Sequence, residues 1–284
     1  MRGLRGARVE LWVDDRAGGP AVNPVMQALL AELHAGGAVT RVRVPEHEVA
    51  AAEEREAADL VLLQSSGPLG LARARAGELH GLRCLNGAAV TVRALDKAAV
   101  VGRLAAAGVP LPATWLLPAP SASGAIRTGP GRQDWVAKPV LQAGGTGIGF
   151  GDSPARAIAA ARGGEEPLLL QNEIGEGPDL KVCVAGEALF AGWMRWDRGS
   201  YLRSEVEPTA LGTHEQAIVR RVGAALGLRC YGLALRLEAD GAPRVVDARP
   251  FPGYRGFPEA VEPLLGEVER ALRGAGRLEH EVVQ

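Results

Sequence analysis

Apolar and polar residues alternate from Ala7 to Val13 with the two-residue period of a strand. Asn23-Pro24 then supplies an N-cap side chain and a first-turn proline, which predicts a helix ending near Gly36-Gly37. A second strand is expected at Val39 to Val44. After a helix rich in Ala and Glu, Leu60-Val61-Leu62-Leu63 has the length and continuous apolarity of a buried strand. It runs into the loop Ser65-Ser66-Gly67-Pro68, and the unit closes near Asn86. Strands alternating with helices predict a small parallel sheet.

The pattern changes downstream. A helix is predicted over Thr91 to Ala107, ended by Gly108 with Pro110 and Pro112. A Pro-, Ser- and Gly-containing linker, Pro118 to Gly131, precedes a strand at Trp135 to Pro139. Ser153-Pro154 opens a helix that Gly163-Gly164 stops, and strands follow at Leu168 to Gln171, Leu180 to Val184 and Leu189 to Trp196. Thr213-x-x-Gln216 has the spacing of a capping box, for a helix that stops at Gly227. Tyr231 to Leu237 and Pro243 to Asp247, joined through Asp240-Gly241, predict a β-hairpin, and a last helix covers about Glu259 to Leu272. The second half is therefore α+β with antiparallel strands, and there is no internal repeat.

Composition narrows the function classes. Of 284 residues, 47% are hydrophobic and 23% charged, as in ordinary globular proteins. Lys and Arg (32) nearly balance Asp and Glu (33), so no bulk field favours a nucleic acid. No run is apolar enough to span a membrane. Cys84, Cys183 and Cys230 form neither a disulfide framework nor a zinc pattern, which points to a reducing, cytoplasmic setting. Self-association into a homo-oligomer is left open.

Several segments carry candidate chemistry, each beside a plainer reading. Asp96-Lys97 can be a solvated helix face. Lys138 ends an apolar strand ahead of Gly144-Gly145-Thr146-Gly147, so an ammonium and backbone N–H groups could hold phosphate between them; the alternative is a hairpin turn. The loop has neither P-loop nor G-x-G-x-x-G spacing. Gln171-Asn172-Glu173-Ile174, at the end of a strand, could present backbone groups to an adenine edge. Asp247, just before Arg249-Pro250-Phe251-Pro252-Gly253, is a candidate metal carboxylate or an ordinary strand end.

In their order and spacing these segments resemble the ATP-grasp superfamily, most closely its RimK-like carboxylate–amine ligases. Asp96-Lys97 with Gly108 to Pro112 is similar to the family's D-K helix and G-[IV]-P-x-P turn. Trp135 to Gly149 is similar to its V-x-K-P strand and glycine-rich lid, and Leu169 to Ile174 to its L-x-Q-E-x-I hinge. Asp179-Leu180-Lys181 resembles D-[IL]-R, and Asp247 to Gly253 resembles E-[VI]-N-x-x-P-G.

The resemblance implies an ATP-grasp fold of three parts: a parallel α/β domain over 1–88, a central domain over 89–174 and an antiparallel-sheet domain over 175–284. It implies that Lys97 and Lys138 hold ATP phosphates under residues 143–149, that residues 171–174 receive the adenine, and that Asp179 also serves the nucleotide site. Lys181, Arg195 and Arg249 would act near the transferred phosphate and the acyl group. The implied reaction activates the carboxylate of a small acid or peptide terminus as an acylphosphate, which an amine then attacks, usually with Mg2+ present.

The chain departs from the family at the metal. The family glutamate is Asp247, its asparagine is Arg249, and its upstream aspartate falls at Ala234. One expected oxygen ligand remains; Glu205, Glu207 or Glu238 could supply a substitute, or Arg249 could instead bind a phosphate or substrate carboxylate directly. The rival expectation is a degenerate ATP-grasp protein that binds a nucleotide, peptide or partner without ligating anything.

Overall fold

The structure is a computed structural model, described here over residues 4–16, 19–20, 22–49, 56–118, 134–141, 147–162, 164, 166–172, 178–194, 205–238 and 240–274. The chain divides into two compact units. One comprises Met1–Ala88, Ala185–Ala188 and Gly253–Gln284; the other comprises Ala89–Val184 and Leu189–Pro252. The last segment of the chain thus joins the N-terminal unit.

In the first unit, β1 (Arg8–Trp12) is followed by the short ladder of β2 (Asp15–Arg16) and β3 (Gly19–Pro20), then α1 (Pro24–Ala35) and β4 (Val39–Arg43). After these come β5 (Leu60–Leu63), α2 (Pro68–Leu79) and β6 (Arg83–Leu85). The sheet has the order β4-β1-β5-β6 and is parallel throughout. Helix α1 starts where Asn23 Oδ1 accepts from the Val25 and Met26 N–H groups, and it buries Val25, Met26, Leu29 and Leu33 at helical spacing.

The alternation in β1 predicts a half-exposed strand, yet Glu10 is buried along with its apolar neighbours. A buried carboxylate needs partners, and Glu10 accepts from Trp12 Nε1 (2.8 Å) and Arg43 Nη1 (3.0 Å). Arg43 and Arg73 also share Glu48 and Glu56, and each guanidinium lies 5.5 Å from the Trp12 ring centroid. The loop before α2 is likewise filled from within. Asp14 accepts from the Ser66 and Gly67 N–H groups and both serine hydroxyls, while Glu46 accepts from Gly70 N–H. The N-terminal donors of α2 are thus engaged by the chain's own carboxylates.

In the second unit the helix predicted over Thr91 to Ala107 is two helices, α3 (Ala88–Leu95) and α4 (Lys97–Ala106). Asp96, between them, leaves helical geometry (φ −77°, ψ 103°), and its carboxylate accepts from Ala98 and Ala99 N–H. An aspartate satisfies orphan N–H groups better as a cap than as an interior residue, which is why the helix restarts there. There follow β7 (Thr114–Leu117), β8 (Trp135–Pro139), β9 (Gly149–Gly151), α5 (Pro154–Ala160) and β10 (Leu168–Asn172). These strands form an antiparallel sheet of order β7-β10-β8-β9, with α5 packed on Trp135, Ala137, Leu168 and Leu170. A Cβ at Gly149 would collide with the Ala157 carbonyl, so glycine is what lets α5 lie against β9. The predicted stop at Gly163-Gly164 comes early, since α5 ends at Ala160 and Ala161 is extended.

The remaining elements are β11 (Asp179–Ala185), β12 (Ala188–Met194), β13 (Val206–Pro208), α6 (Thr213–Leu226), β14 (Cys230–Leu237), β15 (Pro243–Pro250) and α7 (Val261–Arg273). Their sheet has the order β13-β12-β11-β14-β15. Val100 and Leu104 of α4 share a core with Val219 and Val222 of α6 and with Leu180, Leu233 and Leu235 of the sheet. The expected capping box does not form: Gly212 is the N-cap without a side-chain bond, and Gln216 Nε2 instead donates to the Leu211 carbonyl. The stop at Gly227 is as predicted, in the left-handed region at φ 70°. Helix α7 buries Leu264 and Val268 in the first unit, where Arg83 donates to the Leu272 carbonyl. Among the described residues no helix is long and apolar enough to cross a membrane.

Candidate active site

Within the second unit a cleft lies where the start of α4, the end of β8 and the middle of β15 approach one another. Its polar side chains are Lys97, Lys138, Gln171 and Asp247, and Val100, Leu104, Leu111 and Leu169 contribute apolar wall. Lys97 is the first residue of α4, placed there by the Asp96 cap, and its Nζ donates to the Pro139 carbonyl at 2.8 Å. Lys138 reaches from β8 to the other sheet, where Nζ donates to the Val246 carbonyl at 2.8 Å.

That carbonyl is available because the β14–β15 ladder slips. Ala234 faces Asp247, but Leu235 faces Val245, which leaves Val246 as the extra residue of a bulge. Past the bulge, Gly232 faces Arg249. Arg249 Nη2 donates to Asp247 Oδ2 at 2.7 Å, two residues along the same face. Gly232 gives this arginine room: a Cβ there would lie 3.3 Å from Arg249 Cγ and 3.1 Å from Pro252 Cβ.

The charges are held away from their ordinary behaviour. Burial pushes the Lys138 ammonium pKa down, against the opposing pull of Asp247, and does the same to Lys97. Burial would raise the Asp247 carboxyl, but Arg249, Lys138 and Lys97 outweigh it and hold that group below its usual range. The Asp247 side chain nonetheless keeps 35% of its surface exposed, so it remains open to a ligand.

The neighbours of this cleft are partly fixed by further pairs. Gln171 Nε2 donates to Thr114 Oγ1 at 3.0 Å, and the threonine hydroxyl donates on to the Pro112 carbonyl. Gln171 Oε1 is buried and has no hydrogen-bond partner among the described residues. Asp179 forms a buried ion pair with Arg236 (2.6 Å). Lys181 follows on the same face of β11, then Cys183, whose thiol burial pushes up to about 11 while Lys181 and Arg249 pull it down. Cys84, Cys183 and Cys230 take part in no disulfide among the described residues.

No family model matches the chain. At the level of sequence it is 27% identical over 203 residues, 68% of this chain and 67% of the relative, to a probable alpha-L-glutamate ligase of Legionella pneumophila (strain Corby). Among solved structures it is similar to a RimK-domain ATP-grasp protein from Sphaerobacter thermophilus, at 20% identity over 94% of this chain and all of that one, with a TM-score of 0.71. The D-alanyl-alanine synthetase A of Vibrio cholerae gives the same TM-score, 0.71, at 18% identity over 94% of this chain and 98% of that chain. The chain has the ATP-grasp fold.

Within this fold the structure brings together Lys97, Lys138, Gln171 and Asp247 in one cleft, with Arg249 on Asp247. Asn172 ends β10, and Gly147 sits at φ 73° with its carbonyl accepting from Arg162 N–H. Gly144, Gly145, Thr146, Glu173, Ile174 and Arg195 lie outside the described residues, as do most of the linker from Pro118 to Gly131 and the segment from Tyr201 to Ser204. Among the described residues no three His, Cys, Asp or Glu side chains group to hold a metal ion. Mg2+ takes several oxygen ligands in near-octahedral geometry. Among the described residues, the one carboxylate lining the cleft is already bonded to a guanidinium and has two lysines near it, which does not fit that ion. Sequence reasoning misses Arg236, Thr114, Gly232 and the Val246 carbonyl, since each acquires its role only through strand register or a distant partner.

Proposed function

We propose that the protein is an ATP-dependent carboxylate–amine ligase acting on a small acid or a peptide terminus. The observation that carries this reading is the pair of lysines, Lys97 and Lys138, held by backbone carbonyls in an apolar-walled cleft beside Asp247. Ammonium groups fixed where water is scarce are suited to neutralise phosphate charge. Gln171 Oε1, oriented by Thr114, offers an acceptor for the amino group of adenine. The names of similar proteins lend support, among them an ATP-grasp ligase, PsnB, whose structure holds a minimal precursor, Mg and ADP.

In this reading the carboxylate of the acid attacks the terminal phosphorus of ATP, giving an acylphosphate and ADP. The amine then attacks the acyl carbon and loses a proton, and phosphate departs with the C–O electron pair. Lys97 and Lys138 steady the charge that moves onto the phosphates, and Lys181 and Arg195 are assigned to the acyl end. Asp179, paired with Arg236, is assigned to the wall of the nucleotide site.

A second reading is favoured by one observation, the guanidinium lying on Asp247: the protein binds nucleotide, peptide or partner without turnover. The test is ADP and phosphate release from ATP when panels of amino acids and short peptides are supplied as acid and amine. Release that depends on both partners is expected for a ligase. Nucleotide binding without release supports the second reading, and absence of ATP binding at millimolar concentration overturns both nucleotide readings.

A further inference from the structure

Resting on the nucleotide cleft proposed above, we propose that Arg249 takes the place of a divalent cation there, so that the cleft binds the polyphosphate of metal-free ATP directly. A metal at a phosphate site supplies positive charge and a bridge between the protein's oxygens and the ligand's. In this chain both parts are already filled. Arg249 Nη2 is 2.7 Å from Asp247 Oδ2, the position a cation ligated by that carboxylate would need. Opposite Asp247 in the ladder stands Ala234, which has no oxygen to complete a coordination sphere.

The arginine is also accommodated. Its ladder partner is Gly232, and a Cβ at that position would press on both Arg249 Cγ and Pro252. A guanidinium is planar and stays charged while it holds a carboxylate with one edge, so Arg249 keeps beside Asp247 the positive charge that a metal would otherwise bring. Lys97, Lys138 and Arg249 are set against Asp247, with Asp96 and Glu166 acting on Lys97 from the side. The Lys97 and Lys138 ammoniums and the Arg249 guanidinium supply positive charge for the polyphosphate of free ATP without a metal. A divalent cation would have to displace the guanidinium and then stand among like charges, which a low-dielectric cleft penalises heavily.

The test is calorimetric titration of the full-length protein with ATP, once in EDTA and once in excess Mg2+. The dissociation constant in EDTA is expected to be no more than about threefold above that in Mg2+. Arg249→Asn, which replaces the cation by an oxygen donor beside Asp247, should weaken binding in EDTA by roughly tenfold or more, in line with the loss of a charge-assisted contact. It should then recover affinity when Mg2+ is added. Arg249→Lys keeps the charge and should keep metal-independent binding; both variants are compared with the parent by thermal unfolding. Parent binding that needs Mg2+, or an Arg249→Asn variant unchanged in EDTA, overturns the substitution of arginine for metal and leaves the ATP cleft standing. No binding of ATP in either buffer refutes the cleft itself, and this inference with it.

Discussion

Replacing Lys138 by methionine separates what the cleft does from what holds the fold. The ammonium donates to the Val246 carbonyl and is assigned to phosphate, so the variant loses one internal bond and one ligand contact. A charge-assisted hydrogen bond is worth about 1.5–3 kcal/mol. At roughly 1.4 kcal/mol per decade, ATP affinity should fall by about 10- to 150-fold. The fold is affected in two opposing ways. Leaving the Val246 carbonyl without a donor costs about 1–3 kcal/mol. Against that, methionine removes an ammonium that burial already disfavours, as the downward displacement of its pKa shows. Methionine also matches the stem in length and flexibility, so little cavity is left. Unfolding free energy should therefore drop by less than about 2 kcal/mol, below the full cost of an orphaned carbonyl. Calorimetric titration with ATP and urea denaturation read the two quantities on one preparation. ATP affinity within threefold of the parent would refute the assignment of Lys138 to phosphate, whatever the stability.

The buried Asp179–Arg236 pair gives a second expectation. Arg236→Met alone should cost about 3–5 kcal/mol in urea denaturation by stranding a buried carboxylate, whereas Asp179→Leu combined with Arg236→Met should regain most of it. A double variant as unstable as the single one would count against the desolvation argument. A third concerns pH. Because Asp247 titrates below its ordinary 3.8 in the folded protein, the stability it contributes is complete above 3.8 and lost as pH falls from there through the lower folded value. The Lys97 and Lys138 ammoniums titrate below 10.5 when folded, so the unfolded chain holds more protons in that window and stability rises as pH approaches 10.5. Denaturation across pH should show both slopes, with Asp247→Asn flattening the acid one and Lys138→Met the alkaline one; slopes unchanged in the variants would contradict the assignment.

Local signals were readable wherever a few neighbouring residues decide the outcome. Asn23-Pro24 starts α1, Gly227 stops α6, and Asp240-Gly241 joins β14 to β15, because caps and tight turns depend on near neighbours. Periodicity misled at Asp96, where apolar spacing runs across a break that only the carboxylate's preference for N–H groups reveals. It misled again at Glu10, whose burial depends on Arg43, 33 residues away. Of the candidate residues named from motif order, Lys97, Lys138, Gln171 and Asp247 line one cleft in the structure. The partner of Lys138 was not legible, since Val246 is 108 residues distant and offers its carbonyl through a change of register.

That change of register also explains how one strand serves the core and the site together. Leu233 and Leu235 face the core shared with α6, and residues directly opposite in an antiparallel pair share a face. Val245 opposite Leu235 and Ala248 opposite Leu233 therefore lie on the core side, although they are three residues apart and strict alternation would send them to opposite faces. The extra residue, Val246, reconciles them. Without it, Asp247 would stand opposite Leu233 and turn into the apolar core, and Arg249 would lose its place across from Gly232. With it, Asp247 and Arg249 share the face of Ala234 and Gly232, where the aspartate can be held by the arginine and lie near both lysines. The bulge is thus the feature that turns Asp247 and Arg249 to the cleft side of the strand, and the small residues opposite them, Ala234 and Gly232, let the arginine stand beside the acid.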